Sequence, residues 1–249
     1  MTDLTIPMLL ALVATFFVAG IVKGVTGMGL PTVAMAILGS LLSPLAAALL
    51  LIIPSFVTNV WQLLAGPRVM GVIRRLWTMM AGVVVGTLGS APMLTGGDTL
   101  VSTFLLGLAL TVYAVYTLFT KPRRISPRHE RWLSPVVGIA TGLIAGATGV
   151  FVIPAVPYVQ ALGFEKDDLV QALGLSFTVS TVALAIGLAI RGAFQIDGTV
   201  ISALAVAPAL LGMWAGQYIR RAVTPAVFKR CFLAALAVLG TEMMLRGIW

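Results

Sequence analysis

Charged residues divide the chain into long uncharged stretches. Four of these stretches are 22 residues long each, and they cover residues 76–97, 99–120, 169–190 and 198–219. A helix rises about 1.5 Å per residue, so 22 residues extend roughly 33 Å, close to the ~30 Å hydrocarbon thickness of a bilayer. We therefore predict one membrane-crossing helix in each of the four stretches.

Two further uncharged stretches are too long for one crossing. Residues 24–67 form a stretch of 44 residues, and residues 132–164 form one of 33. Both contain clusters of glycine and proline, which interrupt helices, so each is expected to hold more than one helical piece. With apolar segments at 4–22 and 227–245, we predict an all-α integral membrane protein. It has about eight hydrophobic segments, or ten if the broken ones are split, in a single transmembrane domain over residues 1–249.

The composition supports a membrane protein. Hydrophobic residues make up 59% of the chain and charged residues 10%, whereas soluble domains have about 45–50% and 25%. A net charge of +8 would indicate nucleic acid as a partner of a soluble protein. Here the basic residues lie in short loops between apolar stretches, which is typical of cytoplasmic loops in membrane proteins. The expected partner is therefore the lipid bilayer, and no nucleic acid is expected.

The chain carries an internal duplication. Four residues of the first half recur in the second half at one offset of 122 residues: Gly20/Gly142, Gly24/Gly146, Thr26/Thr148 and Gly27/Gly149. Ser55-Phe56 likewise recurs as Ser176-Phe177. We predict repeat 1 at about residues 5–120, a basic cytoplasmic linker at 121–131, and repeat 2 at about 132–249.

Loop charge constrains the topology. The strongly basic connections lie at residues 68–75, 121–131 and 220–230, and all three should face the cytoplasm. Residues 132–164 and two single crossings lie between the second and the third connection. Because the total number of crossings there must be even, residues 132–164 must form a hairpin. By the repeat, residues 7–42 should also form a hairpin.

Each half then has an odd number of single crossings. Two such halves are inverted relative to each other, as in many secondary transporters. This topology places Arg191 outside, and it places the acidic loop of Glu165, Asp167 and Asp168 on the cytoplasmic side.

Each predicted hairpin is broken by glycine. Lys23, Thr26 and three glycines interrupt the first one, and Pro31 follows at a position typical of a helix start. The second hairpin repeats the pattern ahead of Pro154. Non-helical backbone at membrane depth is tolerated only where it is buried in protein or lines a polar cavity. We expect the two tips to enter from opposite faces and to meet near mid-membrane.

Such tips suit a small oxyanion. A helix N-terminus presents unpaired N–H groups and a partial positive charge, glycine allows close approach of the backbone, and Lys23 adds a full charge. The helix after each hairpin contributes polar residues within an apolar run. The predicted substrate-binding residues are Lys23, Gly24, Thr26, Gly27, Gly29, Asn59, Thr148, Gly149 and Ser176.

Other interpretations stay open for single residues. Lys23 could instead extend to a lipid headgroup or pair with a carboxylate. Glycines also serve close helix packing, which we favour for Gly20 and Gly142. The Ser and Thr residues of the two helices are as compatible with helix–helix contacts as with substrate contacts. Glu242 and Arg246, four residues apart, are expected to pair with each other.

Enzymatic chemistry is not indicated. The single histidine, His129, lies in a basic loop, and no Cys, His or carboxylate cluster has metal-ligand spacing. The sequence has no Walker A motif. We expect neither an enzyme nor a cofactor or metal.

The motif Gly20-Ile-Val-Lys23-Gly24-Val-Thr26-Gly27-Met-Gly29, followed by Pro31, has a degenerate copy at residues 142–154. Together with the helix segment Pro54-Ser-Phe-Val-Thr-Asn59, it resembles the TauE/SafE sulfite exporter family, also called the toluene sulfonate uptake permease group. The resemblance extends over nearly the whole chain. It implies a multi-pass carrier of the cell inner membrane for sulfite, sulfonates and related anions, with export as the expected direction. Phe151 stands where the first copy has Gly29, so the two tips are not equivalent.

The leading hypothesis is a secondary transporter that moves a small sulfur-containing anion by alternating access at the two tips. The alternatives are an anion channel with the same site and a non-transporting membrane scaffold or assembly subunit. The coupling ion, proton or sodium, is left open, and so is the oligomeric state, for which a homodimer is one candidate.

Overall fold

The computed structural model describes residues 6–120, 124–194, 196–222 and 224–246, and these residues form helices joined by short connections without any β-strand. The linker residues Lys121 and Arg123 lie outside the described part. The helices are α1 (Ile6–Thr26), α2 (Leu30–Leu41), α3 (Pro44–Leu64), α4 (Val69–Gly96), α5 (Thr99–Phe119), α6 (Pro127–Thr148), α7 (Ala155–Ala161), α8 (Lys166–Ile190), α9 (Ile196–Leu204), α10 (Val206–Ala222) and α11 (Pro225–Arg246).

Six apolar helical stretches of the described residues are long enough to cross a membrane. Four of them match the predicted single crossings, namely α4, α5, α8 and the stretch Gly198–Arg220, which joins α9 and α10. The other two are α1 and α3. The chain is therefore an all-helical, multi-pass membrane protein. α4 begins at Val69 rather than at residue 76, because Arg74 and Arg75 are part of the helix.

The first long stretch is interrupted at Gly27–Gly29, as predicted. Gly27 and Gly29 have left-handed backbone, with φ of 76° and 101°, a conformation that glycine adopts without a steric penalty. α2 starts directly afterwards, with Pro31 in its first turn. We call residues 27–29 the first break.

The second long stretch is interrupted after α6. Gly149, with φ of 73°, ends this helix in left-handed conformation, and α7 begins at Ala155. We call residues 149–154 the second break. The returning helices are short, since α2 has 12 residues and α7 has 7. At about 1.5 Å per residue they extend roughly 18 Å and 10 Å, so neither crosses a bilayer as a helix alone.

Glycines bring helices of the two halves into direct backbone contact. α1 packs parallel to α10, and α4 packs parallel to α6. A Cβ atom added to Gly24 would lie 2.9 Å from Cα of Gly216, and one added to Gly142 would lie 2.9 Å from Cα of Gly86. This is close packing of the small-xxx-small kind. It confirms the packing role of Gly142, and it places Gly24, a predicted substrate-binding residue, in the contact with α10.

Two other pairs of helices from the two halves are antiparallel. In α3 and α8, the backbone of Leu63 near the end of one helix meets Gly174 near the start of the other. In α5 and α11, the backbone of Gly107 meets that of Met244, whereas Thr111, one turn later in α5, meets Gly240, one turn earlier in α11. The two helices of each pair thus run in opposite directions through the protein.

Ser202 compensates for a proline inside α3. Pro54 has no N–H group, so the carbonyl of Leu50 has no partner within the helix. Oγ of Ser202 in α9 donates to this carbonyl at 2.8 Å and accepts a hydrogen bond from the N–H of Ile53 at 3.3 Å. Ser202 is 1% exposed. A buried hydroxyl of the second half therefore keeps α3 hydrogen-bonded through Pro54.

Ion pairs join the basic and acidic loops at one end of the helices. Arg68 pairs with Asp168 at 3.0 Å. Arg75 donates to both carboxylate oxygens of Glu130 at 2.7 and 2.8 Å, and to the carbonyl of Leu162 at 2.9 Å. The acidic loop thus lies beside the basic one, as the predicted topology requires. At the opposite end of the helices, Glu242 pairs with Arg246, as predicted.

The outer surface of the bundle is apolar. Trp61, Trp77, Trp132 and Trp214 are all exposed, together with many aliphatic side chains of the outer helices. Exposed apolar patches of this extent are rare on soluble monomers. Contact with lipid chains accounts for this surface, and tryptophans are enriched where such a surface meets the headgroups.

Candidate functional site

Lys23 lies in the last turn of α1 and is buried, with 3% of its surface exposed. Its ammonium group donates to Oγ1 of Thr58 at 3.2 Å and to Oδ1 of Asn59. Both partners are neutral residues of α3 and are completely buried. Lys23 takes part in none of the ion pairs between described residues. The alternative interpretation, in which Lys23 pairs with a carboxylate, is therefore not supported among the described residues.

The partners of Lys23 are themselves oriented by hydrogen bonds. Oγ1 of Thr58 donates to the carbonyl of Pro54 at 2.8 Å, which leaves its lone pairs free to accept from Lys23. Nδ2 of Asn59 donates to Oγ of Ser55 at 3.3 Å, so its Oδ1 faces the ammonium group. An ammonium group carries three N–H donors. Two of the three have partners among the described residues, namely Thr58 and Asn59.

Gln62 attaches the first break to both central helices. Its Nε2 donates to the carbonyl of Gly27 at 2.9 Å and to the carbonyl of Val170 in α8 at 2.8 Å. Its Oε1 is buried and has no hydrogen-bond partner in the described structure. The first break therefore lies beside the end of α3 and the start of α8, one helical turn from the partners of Lys23.

The two repeated threonines cap the helices that precede the breaks. Oγ1 of Thr26 lies 2.8 Å from the carbonyl of Val22 and accepts from the N–H of Met28 at 3.2 Å. Oγ1 of Thr148 donates to the carbonyl of Ile144 at 2.7 Å and accepts from the N–H of Val150 at 3.2 Å. The hydroxyls predicted to meet the substrate thus have local partners in this conformation.

The second break is filled by apolar side chains. A Cβ atom added to Gly149 would lie 3.0 Å from Sδ of Met35 and 3.5 Å from Cβ of Ala48. Phe151 is 1% exposed, and its ring lies 6.0 Å from that of Phe177, measured between centroids. The inequivalence of the two tips, expected from Phe151, is thus present in the packing.

The two breaks do not meet at mid-membrane. The first break contacts Gln62, near the end of α3, whereas the second contacts Ala48, near its start. These residues are 14 positions apart, which is about 21 Å along a helix. The expectation that the tips come together is wrong for this conformation. The reason is the length of the preceding helices, because α1 and α6 have 21 and 22 residues and extend roughly 32 Å before each break begins.

Ser176 lies closer to Lys23 than the second break does. It follows Gly174, which packs on Leu63, by two residues, or about 3 Å along α8. This brings it near the level of Asn59. The hydroxyls of Ser176 and Ser180 are buried and have no hydrogen-bond partner in the described structure. Ser176 therefore lies within about one helical turn of the level of Asn59, and its neighbour Phe177 packs on Phe151 of the second break.

Two residues were missing from the predicted set. Thr58 and Gln62 contact Lys23 and the first break directly. Ser55, Thr58, Asn59 and Gln62 are spaced by three or four positions, so they share one face of α3. That spacing was the signal in the sequence that could have identified them.

A metal site is not evident, because no group of three or more His, Cys, Asp or Glu side chains comes together in the described ranges.

Comparison with known proteins gives one family. The model of the family "Sulfite exporter TauE/SafE" matches residues 12–243, nearly the whole chain. Searches of curated proteins and of solved structures found no match. With its broken helices, apolar outer surface and buried lysine, the chain belongs to the TauE/SafE sulfite exporter family.

Proposed function

We propose that this protein is a secondary transporter of the cell inner membrane that exports small sulfur-containing anions, namely sulfite or organosulfonates. Membership of a sulfite exporter family supports the substrate class. The observation that carries the proposal is Lys23, a buried cation held by Thr58 and Asn59 without a carboxylate among its described partners.

The electrostatics of Lys23 favour an anionic ligand. Moving a cation out of water into a membrane protein is costly, and intramembrane charges therefore pair with one another or mark a substrate pathway. Neutral acceptors offset only part of this free energy. A small anion beside Lys23 would supply the missing charge, and it could accept the third ammonium N–H. The free hydroxyls of Ser176 and Ser180 are further donors at about the same depth.

Alternating access is part of the proposal, and the packing of the two halves supports it. α3 and α8, which correspond by the repeat, are antiparallel, and so are α5 and α11. α1 packs on α10 while α6 packs on α4, a reciprocal exchange between the halves. An inverted repeat about an axis in the membrane plane would produce these relationships. The glycine contacts of α1 with α10 and of α4 with α6 would let each pair move as one unit.

We place the substrate at the first break rather than between two equal tips. Lys23 has Ala145 as its counterpart in the repeat, and the second break is closed by Phe151 and Phe177. Gly27 and Gly29 provide the backbone irregularity beside Lys23, whereas Thr148 and Gly149 shape the opposite hairpin. Either a proton or a sodium ion would serve as the coupling ion for export in this proposal.

The test is counterflow in proteoliposomes. Vesicles preloaded with unlabelled sulfite should accumulate labelled sulfite transiently, and the flux should saturate with concentration. Sulfate and a small sulfonate in the outer solution serve as competitors. Saturable flux without counterflow would indicate a channel, and absence of flux together with absence of any ligand-dependent thermal shift would indicate a scaffold. Either result would overturn the proposal.

A further inference from the structure

A cavity of about 240 Å³ adjoins the first break on the side of the basic loops. Its walls include Thr26 from the end of α1, Met28 from the first break, Tyr113 from α5, Arg220 from α10 and Lys229 from α11. A cavity measured in the same way needs a volume of roughly 10–15 Å³ to hold one water molecule. The cavity is therefore large enough for a hydrated small ion.

Two cations face this cavity. Arg220 stands near the end of α10 and Lys229 near the start of α11, and the fold brings these separate segments to one wall. The ion pairs among the described residues are Arg68–Asp168, Arg75–Glu130 and Arg246–Glu242. Neither Arg220 nor Lys229 belongs to them. Two like charges at one cavity repel each other, and an anion between them would convert the repulsion into attraction.

The chemistry of the walls suits an oxyanion. A guanidinium group can donate two parallel hydrogen bonds to an oxyanion, and an ammonium group adds a compact charge. Met28 and Phe232 contribute apolar wall surface beside the two cations, and charge interactions are stronger next to apolar surface than in bulk water. Tyr113 and Thr26 also line the cavity, although their hydroxyls already have partners in Met28 and Val22.

The cavity adjoins the last turn of α1, the turn that also carries Lys23. Thr26, in the cavity wall, lies three residues after Lys23, which is about one helical turn. Lys23 itself is buried and does not line the cavity. An anion that entered from the cytoplasmic side would meet Arg220 and Lys229 before it reached Lys23.

We propose that Arg220 and Lys229 form a second anion-binding subsite, which takes a small oxyanion from the cytoplasm and passes it to the site at Lys23. The direction in which the anion passes rests on the proposed function. The binding of an oxyanion by Arg220 and Lys229 does not. Lys229 also lines a neighbouring cavity of about 500 Å³, together with Tyr116 and Gln160. A phosphate group of an anionic lipid offers the same chemistry as a soluble oxyanion, so the test must separate the two.

The transport test uses the variants R220Q and K229Q, with R230Q as the matched control. Arg230 is the exposed neighbour of Lys229 in α11, so R230Q removes the same charge from the same helix end. We expect R220Q and K229Q each to raise the KM for sulfite on the cytoplasmic side about tenfold, the effect of losing one charge-assisted hydrogen bond. The maximal rate should stay within about twofold, since Lys23 is intact. K229R keeps the positive charge at this position and should therefore have the wild-type KM.

A binding test separates this proposal from the proposed function. Delipidated protein in detergent is titrated with inorganic sulfate by calorimetry. Wild type and K23M should bind sulfate at the subsite, and R220Q/K229Q should lose this binding while R230Q keeps it. If sulfate binding follows this pattern but no sulfite is transported, the subsite stands and the proposed function fails. If sulfite is transported and R220Q and K229Q behave like R230Q, the subsite is overturned.

The lipid arm compares proteoliposomes of phosphatidylcholine with others that also contain phosphatidylglycerol. The proposal expects the same KM difference between wild type and variants in both. A difference confined to vesicles with phosphatidylglycerol would assign Arg220 and Lys229 to a lipid headgroup and would overturn the proposal. Each single variant is sufficient for these comparisons if the double variant fails to elute as a folded species.

Discussion

Nζ of Lys23 donates a hydrogen bond to Oγ1 of Thr58 at 3.2 Å and thereby joins the last turn of α1 to the middle of the polar face of α3. Asn59 completes the neutral environment of the ammonium group. Lys23 has no carboxylate partner among the described residues, and the proposed substrate would supply the missing negative charge.

The substitution Asn59→Asp would give Lys23 an internal counterion. The carboxylate would occupy the place of the amide oxygen and neutralise the ammonium group, so the anion would lose its charge partner. We expect sulfite counterflow to fall by about tenfold or more while the folded protein is retained, because the new ion pair is hydrogen-bonded. Proteoliposome flux and thermal unfolding in detergent measure the two effects. A variant that unfolds at the wild-type temperature and transports sulfite at the wild-type rate would contradict the assigned role of Lys23.

A substitution at Gly24 tests whether this glycine is needed for the packing of α1 against α10. The substitution Gly24→Ala would place a methyl group 2.9 Å from Cα of Gly216 and 3.0 Å from the backbone nitrogen of Gln217. We expect a loss of about 1–3 kcal/mol in the free energy of unfolding. Gly89→Ala is the control, since a Cβ atom there meets nothing within 4 Å, and alanine favours the helix by about 1 kcal/mol. Equal stabilities of the two variants would refute the close contact of α1 with α10.

Ser202 and Pro54 should be coupled energetically. Ser202→Ala leaves the buried carbonyl of Leu50 without a donor, which should cost about 1–3 kcal/mol of unfolding free energy. In the Pro54→Ala background the N–H of residue 54 can donate to that carbonyl, so Ser202→Ala should cost less. A double-mutant cycle of unfolding free energies measures the difference. Additive effects would mean that Ser202 does not compensate for the proline.

Glu130 and Arg75 hold the start of α6 to α4. The Glu130 side chain is 13% exposed and accepts two hydrogen bonds from Arg75. We expect Glu130→Gln to lower the free energy of unfolding by about 1 kcal/mol, near the upper range for pairs accessible to solvent. Asp167→Asn removes a charge from an exposed position and serves as the control. The effect of Glu130→Gln should shrink in high salt, and an effect no larger than that of Asp167→Asn would rule out a stabilising pair.

Charge spacing predicted the helices that cross once with little error. Residues 99–120 became α5, Thr99–Phe119, and residues 169–190 became α8, Lys166–Ile190. It failed at the starts of α4 and α8, because Arg74 and Arg75 lie within α4 and the charged residues 166–168 lie within α8. Long basic side chains can extend from a helix end to the polar surface, so a charge does not mark the end of a membrane helix.

The site was predicted less completely than the fold. Lys23 could be identified because a charge within an apolar stretch is rare, and Asn59 because its amide is costly in lipid. Their direct contact depends on how α1 and α3 are rotated about their axes, which one sequence does not determine. The depth of the two breaks depends on where α1 and α6 end. Glycine patterns predict that a break exists, but not its distance from the other break.

If the charge of Lys23 binds the transported anion, its removal in Lys23→Met should abolish the efflux of sulfite from proteoliposomes. Methionine keeps most of the length and the apolar stem of lysine, and Lys166→Met at an exposed position is the control for loss of a charge. We predict that Lys23→Met folds, elutes as wild type does and loses sulfite efflux, whereas Lys166→Met transports normally. Sulfite efflux by Lys23→Met at the wild-type rate would contradict the account.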